Sequence, residues 1–217
     1  MNLPNKLTVV RVILVPIFII IGYLGILGVI SGEVLWGIPT YMLIMGIIFI
    51  IASLTDKLDG TIARKYNLVT NFGKFLDPIA DKILVLAAMV MFVEFGKIPA
   101  WIPIIVLFRE FAVSGFRLIA VEQGGKVIAA NIWGKLKTVT QMVAITLIFV
   151  DKYNFFDFVR ATTDSAKAIG SSYLIFMQTP AYIFNIITSV LMAISVVATI
   201  FSGWSYLKGG KDLIKDA

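Results

Sequence analysis

Long apolar runs alternate with short polar breaks along this chain, and the runs have the length that a bilayer demands. A spanning helix needs about 20 mostly apolar residues. Six segments qualify, at about 9–30, 38–64, 73–95, 98–121, 131–150 and 180–207. The first is preceded by an amphipathic turn around Lys6 and Arg11, which predicts a short amphipathic N-terminal helix. The second is apolar as far as Ser53 and polar beyond it, and the fourth is opened by Pro99 and Pro103. Pro78 falls early in the third, where a missing N–H is least costly if the helix starts near Gly73. No strand pattern, low-complexity tract or internal repeat interrupts the series. The expected fold is therefore all-α: an integral membrane six-helix bundle forming one domain over residues 1–217. The segment 151–178 is longer than a minimal loop and is the least anchored part of this reading. The polar start and the long run after it predict a retained span rather than a cleaved signal peptide.

Composition sharpens the picture. Hydrophobic residues make up 59% of the 217 residues and charged ones 15%, against about 25% in a soluble domain. Six spans put both termini on one side. That side carries all of the 19 basic residues except Lys97, Lys152, Arg160 and Lys167. The positive-inside rule then makes it the cytoplasmic face of the cytoplasmic membrane. Lys208, Lys211 and Lys215 read simply as anchors among anionic lipid headgroups. There is no Cys and no His. Thiol chemistry and the commonest general base are thereby excluded. Any metal must be held by oxygen, which favours Mg²⁺, Mn²⁺ or Ca²⁺.

Against this background one cluster stands out. Asp56 and Asp59 are three apart, and Asp77 and Asp81 four apart, so each pair shares a face of its own helix. A short link joins the two helices, which makes them antiparallel neighbours whose carboxylates converge on the cytoplasmic side. Each ionised carboxylate costs roughly 2.5 kcal/mol or more at the centre of a membrane helix. Without a cation, four together would repel and protonate. Two divalent ions about 3.5–4 Å apart would neutralise them, an arrangement suited to phosphoryl chemistry. With no His present, a carboxylate is also the natural base. Asp81, one turn beyond Asp77, could orient an incoming hydroxyl and accept its proton.

Small residues share these faces. Gly60 follows Asp56 by four, Ala63 follows Asp59 by four, and Gly73 precedes Asp77 by four. They offer a flat floor for a bulky group, although such spacing also serves plain helix packing in membranes. Arg64, eight beyond Asp56, adds a fork of donors suited to phosphate. Together these residues read as a metal-bridged pyrophosphate site.

The same residues resemble the signature of the CDP-alcohol phosphotransferase family. Its pattern is met at Asp56, Asp59, Gly60, Ala63, Arg64, Gly73, Asp77 and Asp81 without a departure. The resemblance implies a six-span homodimeric fold with its site open to the cytoplasm, dependent on Mg²⁺ or Mn²⁺, with two ions expected. It implies that the four aspartates are metal ligands and Asp81 the general base. It further implies that Gly60, Arg64, Thr70, Asn5 and Thr8 contact the CDP part of the donor, with Ala63 and Gly73 lining the same site. Thr70 could equally cap the third helix. Three further segments narrow the resemblance to members that use CDP-diacylglycerol and glycerol 3-phosphate. They are Asn5 to Arg11, Phe108-Arg109-Glu110 with Arg117, and Gly134 to Thr138 with Gln141. The likeness runs over roughly residues 2–150.

Arg109 and Arg117 are eight apart and share a helix face, and Lys135 and Lys137 open the fifth span on the same side. Being two apart, these lysines do not both point into one pocket. Several cations near a pyrophosphate site suit an acceptor that itself carries phosphate, such as glycerol 3-phosphate or inositol phosphate. A second phospholipid is another acceptor the fold could take. The residues could instead hold lipid headgroups or pair with Glu110 and Glu122. Membrane lipids and a second copy of the chain are the expected partners, and no nucleic acid is called for. A divalent-cation transporter is the reading from a different class, since intramembrane carboxylates also mark ion pathways. It expects carboxylates spread through the membrane depth, whereas these gather at one face.

Overall fold

The computed structural model describes residues 3–34, 37–65, 71–122, 132–157 and 180–209, with side chains described there except at 3–4, 56–65, 71–78, 81, 117–118, 120–122 and 209. Among the described residues there are six α-helices: α1 Leu3–Ile26, α2 Thr40–Lys65, α3 Asn71–Glu94, α4 Trp101–Glu122, α5 Ile132–Val150 and α6 Pro180–Gly209. Each predicted span corresponds to one of them. Two, Asn5–Ile26 and Pro180–Lys208, are by themselves long and apolar enough to cross a membrane, and α2 has a shorter apolar stretch, Thr40–Thr55. The expected loop 151–178 is described only as far as Asp157, and the rest lies outside the described residues.

Two expectations change. The N-terminal amphipathic helix is not a separate element, because α1 is continuous from Leu3 and runs through Pro16. Pro4 lies in the first turn, where a missing N–H breaks no helical bond. A small strand pair also exists. β1 Glu33–Val34 runs antiparallel to β2 Ile38–Pro39, with Val34 opposite Ile38. Two residues per strand are too few to leave a period-2 trace in the sequence.

The chain divides into two compact units: Met1–Ile98 with Thr146–Asn154, and Pro99–Ile145 with Phe155–Ala217. In the first unit α1 packs along α2 and α3. Gly22 lies against Met45 of α2 and Met91 of α3, and Gly25 against the ring of Tyr41. The end of α1 therefore meets the start of α2 and the end of α3. It follows that α1 runs antiparallel to α2 and parallel to α3. Absent side chains at these two glycines let the backbones close up, which is how membrane helices gain packing energy.

The core of this unit is a ring cluster. Phe149, in the last turns of α5, contacts Phe18 of α1 at 5.9 Å edge-on, Phe49 of α2 at 5.8 Å and Phe92 of α3 at 4.6 Å. Gly46 makes room for it, since a Cβ there would stand 3.0 Å from that of Phe149.

Two helix ends in this unit are set by glycine. After α1, Gly28 takes φ 74°. Its N–H donates to Gly25 O and that of Val29 to Leu24 O. After α3, Gly96 takes φ 69°, with Gly96 N–H donating to Val93 O and Lys97 N–H to Phe92 O. Both are Schellman stops, which an L side chain at the glycine would strain.

In the second unit α4 packs on α6. The buried stripe of α6 is unusually polar: Asn185, Thr188, Ser189, Ser195, Thr199 and Ser202 are all buried. Thr188, Ser195 and Thr199 donate to carbonyls of their own helix, at Phe184, Met192 and Ser195. Short hydroxyl side chains can satisfy themselves in this way while allowing close helix contact.

Candidate active site

The helical backbone runs unbroken through all four aspartates. Asp56 and Asp59 lie on α2 with Gly60, Ala63 and Arg64, and Asp77 and Asp81 lie on α3 with Gly73. The side chains of these eight residues are outside the described part of the structure, and Thr70 is outside it altogether. What the helices fix is register. On α2 the buried positions Met42, Met45, Phe49 and Ala52 recur every three or four residues, and the same count leads to Asp56, Asp59 and Ala63. On α3, Ala80, Leu84, Ala87, Ala88 and Met91 are buried, and counting back leads to Asp77 and Asp81. By backbone register, the aspartate positions continue the buried stripe toward one end of each helix.

The packing of α1 supplies the third wall. Thr8 is fourteen residues before Gly22, Asp59 fourteen after Met45, and Asp77 fourteen before Met91. At 1.5 Å per residue these positions are level, about 21 Å along from the glycine contact. By the same count Arg11 is level with Asp56 and with Ala80, next to Asp81. Asn5, Thr8 and Arg11 are buried, at 7%, 1% and 2% exposure, and recur every three residues on one face of α1. Val15 and Phe18 continue that face as an apolar stripe. The polar end of the buried face of α1 therefore coincides with the acidic ends of α2 and α3. This brings Asn5 and Thr8 to the depth of the aspartates. From sequence Arg11 belongs to the amphipathic N-terminal turn, the cytoplasmic belt of basic residues and the Asn5-to-Arg11 segment, with no role of its own in the site. Its three-residue spacing from Thr8 and Asn5 was the available signal.

The donor chemistry fits a hard divalent ion, because carboxylate oxygens at helical spacing on facing helices are what such ions take. Among the described residues no other group of acidic side chains could hold a metal.

The basic residues lie in the second unit. Arg109 of α4 is held on several sides. Its Nη1 donates to Glu110 Oε1 at 2.9 Å, its Nη2 donates to Ser202 Oγ of α6, and its guanidinium lies 5.8 Å from the centroid of the Tyr206 ring. Its Nε is buried with no hydrogen-bond partner among the described residues. Gly134 and Gly203 flank the side chain, and a Cβ at either would stand 3.4 Å from Arg109, at ordinary contact distance. Lys137 of α5 is buried and donates to the same Glu110 Oε1, whereas Lys135 is exposed. The two lysines do part company, as their spacing requires, and Lys137 is the one turned inward. The side chain of Arg117 lies outside the described residues. From sequence Glu110 is part of the Phe108-Arg109-Glu110 segment and a competitor for these cations, and Ser202 and Tyr206 carry no role.

A family model described as CDP-alcohol phosphatidyltransferase matches residues 1–201, across both units. A CDP-diacylglycerol–glycerol-3-phosphate 3-phosphatidyltransferase of Bacillus subtilis is 47% identical over 162 residues, 71% of this chain and 79% of its own length. A Rickettsia typhi protein of the same name is 32% identical over 210 residues, 97% of each chain. One from Haemophilus influenzae is 43% identical over 148 residues, covering 66% of this chain and 73% of its own. The family is one of membrane enzymes that are generally metal-dependent. This chain, a mostly helical membrane protein, belongs to the CDP-alcohol phosphatidyltransferase family.

Proposed function

We propose that this protein transfers the phosphatidyl group of CDP-diacylglycerol to glycerol 3-phosphate, giving phosphatidylglycerol phosphate and CMP in phospholipid biosynthesis. The observation that carries this is the eight-position acidic signature on α2 and α3, with the polar end of α1 packed at its depth. Relatives bearing the corresponding name match up to 97% of the chain. A phosphatidyltransferase family also sets aside the ion-transport reading.

In the proposed reaction a hydroxyl of glycerol 3-phosphate attacks the β-phosphorus of CDP-diacylglycerol. The new P–O bond forms as the bond to CMP breaks, CMP leaves as its phosphate anion, and the hydroxyl proton passes to Asp81. Asp56, Asp59, Asp77 and Asp81 would hold two Mg²⁺ or Mn²⁺ ions, which supply charge neutralisation to the pyrophosphate and the departing phosphate. Arg64 offsets further charge, and Gly60, Ala63 and Gly73 keep the approach to the backbone open. Asn5, Thr8 and Thr70 contact the nucleotide. Arg109, Arg117 and Lys137 bind the acceptor phosphate, and Lys135, being exposed, guides it from solvent. Six spans, cytoplasmic termini, a site facing the cytoplasm, a single domain and a homodimer complete the proposal. A lipid donor and a soluble acceptor would then meet at the membrane surface.

The test is CMP release by purified protein given CDP-diacylglycerol, Mg²⁺ or Mn²⁺, and a panel of acceptors. Glycerol 3-phosphate is expected to support release. Release with inositol phosphate or a phospholipid but not glycerol 3-phosphate would replace the acceptor. No release with any acceptor would sink the transferase reading.

A further inference from the structure

The Arg109 guanidinium is fixed by residues of α6 that lie beyond the family match, which ends at residue 201. We infer that Ser202 and Tyr206 are positioning residues for the acceptor phosphate, acting through Arg109. The inference rests on the reading that Arg109 binds that phosphate.

Three observations support it. Ser202 reaches across to another helix. Thr188, Ser195 and Thr199 return their hydroxyl protons to their own helix, while Ser202 Oγ accepts a hydrogen bond from Arg109 Nη2 of α4. Tyr206, one turn further and fully buried, lies within cation–π range of the same guanidinium. A glycine lies on each side, Gly134 and Gly203, where a Cβ would meet Arg109 at ordinary contact distance. Serine, aromatic ring and two glycines from α5 and α6 thus surround one cation of α4.

The charge arithmetic gives this clamp a purpose. Glu110 Oε1 accepts from both Arg109 and Lys137, so the three groups carry one net positive charge. Left to itself, the carboxylate would draw the guanidinium wholly into a forked pair. Ser202 takes the Nη2 side away from Glu110, and the Tyr206 face holds the guanidinium by its plane. Only Nη1 stays with the carboxylate. Among the described residues Nε has no partner on the edge it shares with Nη2, and a Nε–Nη2 edge is one that a phosphate can take with two oxygens. Losing the clamp would let Arg109 collapse onto Glu110, weakening acceptor binding while sparing the lipid donor.

The test is a set of steady-state measurements on the full-length protein in detergent. Tyr206→Leu and Ser202→Ala are each expected to raise KM for glycerol 3-phosphate by about ten- to thirtyfold, the scale of a desolvated cation–π contact or one charged hydrogen bond. KM for CDP-diacylglycerol and kcat should change less than about twofold. Tyr206→Phe, which keeps the ring, should restore the acceptor KM. Combining Tyr206→Leu with Arg109→Gln should add nothing beyond Arg109→Gln alone. If Arg109→Gln raises the acceptor KM and neither α6 variant does, the positioning role fails and the acceptor site stands. Should Arg109→Gln itself leave that KM unchanged, the acceptor assignment beneath the inference is lost. An equal rise in both KM values would mark the α6 residues as merely structural and overturn the proposal.

Discussion

Asp81 is the carboxylate to which the proposed mechanism gives a proton as well as a metal. Asp81→Asn should abolish CMP release, by about a thousandfold or more, while leaving CDP-diacylglycerol binding largely intact. Turnover near the starting level would remove Asp81 as the base. Arg11 makes the complementary case. It is 2% exposed and level with Asp56, a depth at which a buried cation would offset carboxylate charge. Arg11→Gln is expected to lower CMP release about tenfold or more, with Arg11→Lys recovering part of it. Full activity in Arg11→Gln would show that the residue merely packs. The helical register of the aspartates was legible because their message is their spacing, which a helix converts directly into a shared face. Arg11 was not, because a basic residue near a helix start reads as an anchor until its neighbours show which side is covered.

Among the elements, the end of α5 depends on a lysine from another part of the chain. Lys97, just past α3, is buried, and its Nζ donates to the carbonyls of Asp151, Lys152 and Tyr153 at 2.7, 2.9 and 3.2 Å. These carbonyls lie where α5 has run out of N–H partners, and a cation there also suits the negative end of the helix. Asp151 Oδ1 closes the turn by accepting from the Tyr153 N–H. Lys97→Met should therefore cost about 2–3 kcal/mol, the loss of charged hydrogen bonds to buried carbonyls. The expected readout is a clear fall in melting temperature in detergent, and an unchanged melt would refute the role. In the sequence Lys97 counts as one of four basic residues on the far side of the membrane, and nothing local says that it is buried. The helices themselves were legible within a few residues at their ends. Gly28 stops α1 four residues short of the predicted boundary, because a left-handed glycine ends a helix where the apolar run continues.

For the molecule as a whole, the absence of cysteine makes orientation directly measurable. Single cysteines at the exposed positions Lys6 and Lys208 should react with a membrane-impermeant maleimide only after the membrane is opened. A cysteine at exposed Glu94 should react in sealed cells. The reverse pattern would invert the proposed topology and place the aspartates outside. By itself the sequence determined the helical class, the oxygen-only donor set and the family signature, because composition and helical periodicity are carried by neighbouring residues. Tertiary packing alone decided that the polar face of α1 lies level with the carboxylates. It also decided that Lys137 rather than Lys135 turns inward, and that Arg109 is held by a serine 93 residues away. Those facts depend on which helix faces meet, and two faces distant in the chain become neighbours only when the whole set of helices has packed.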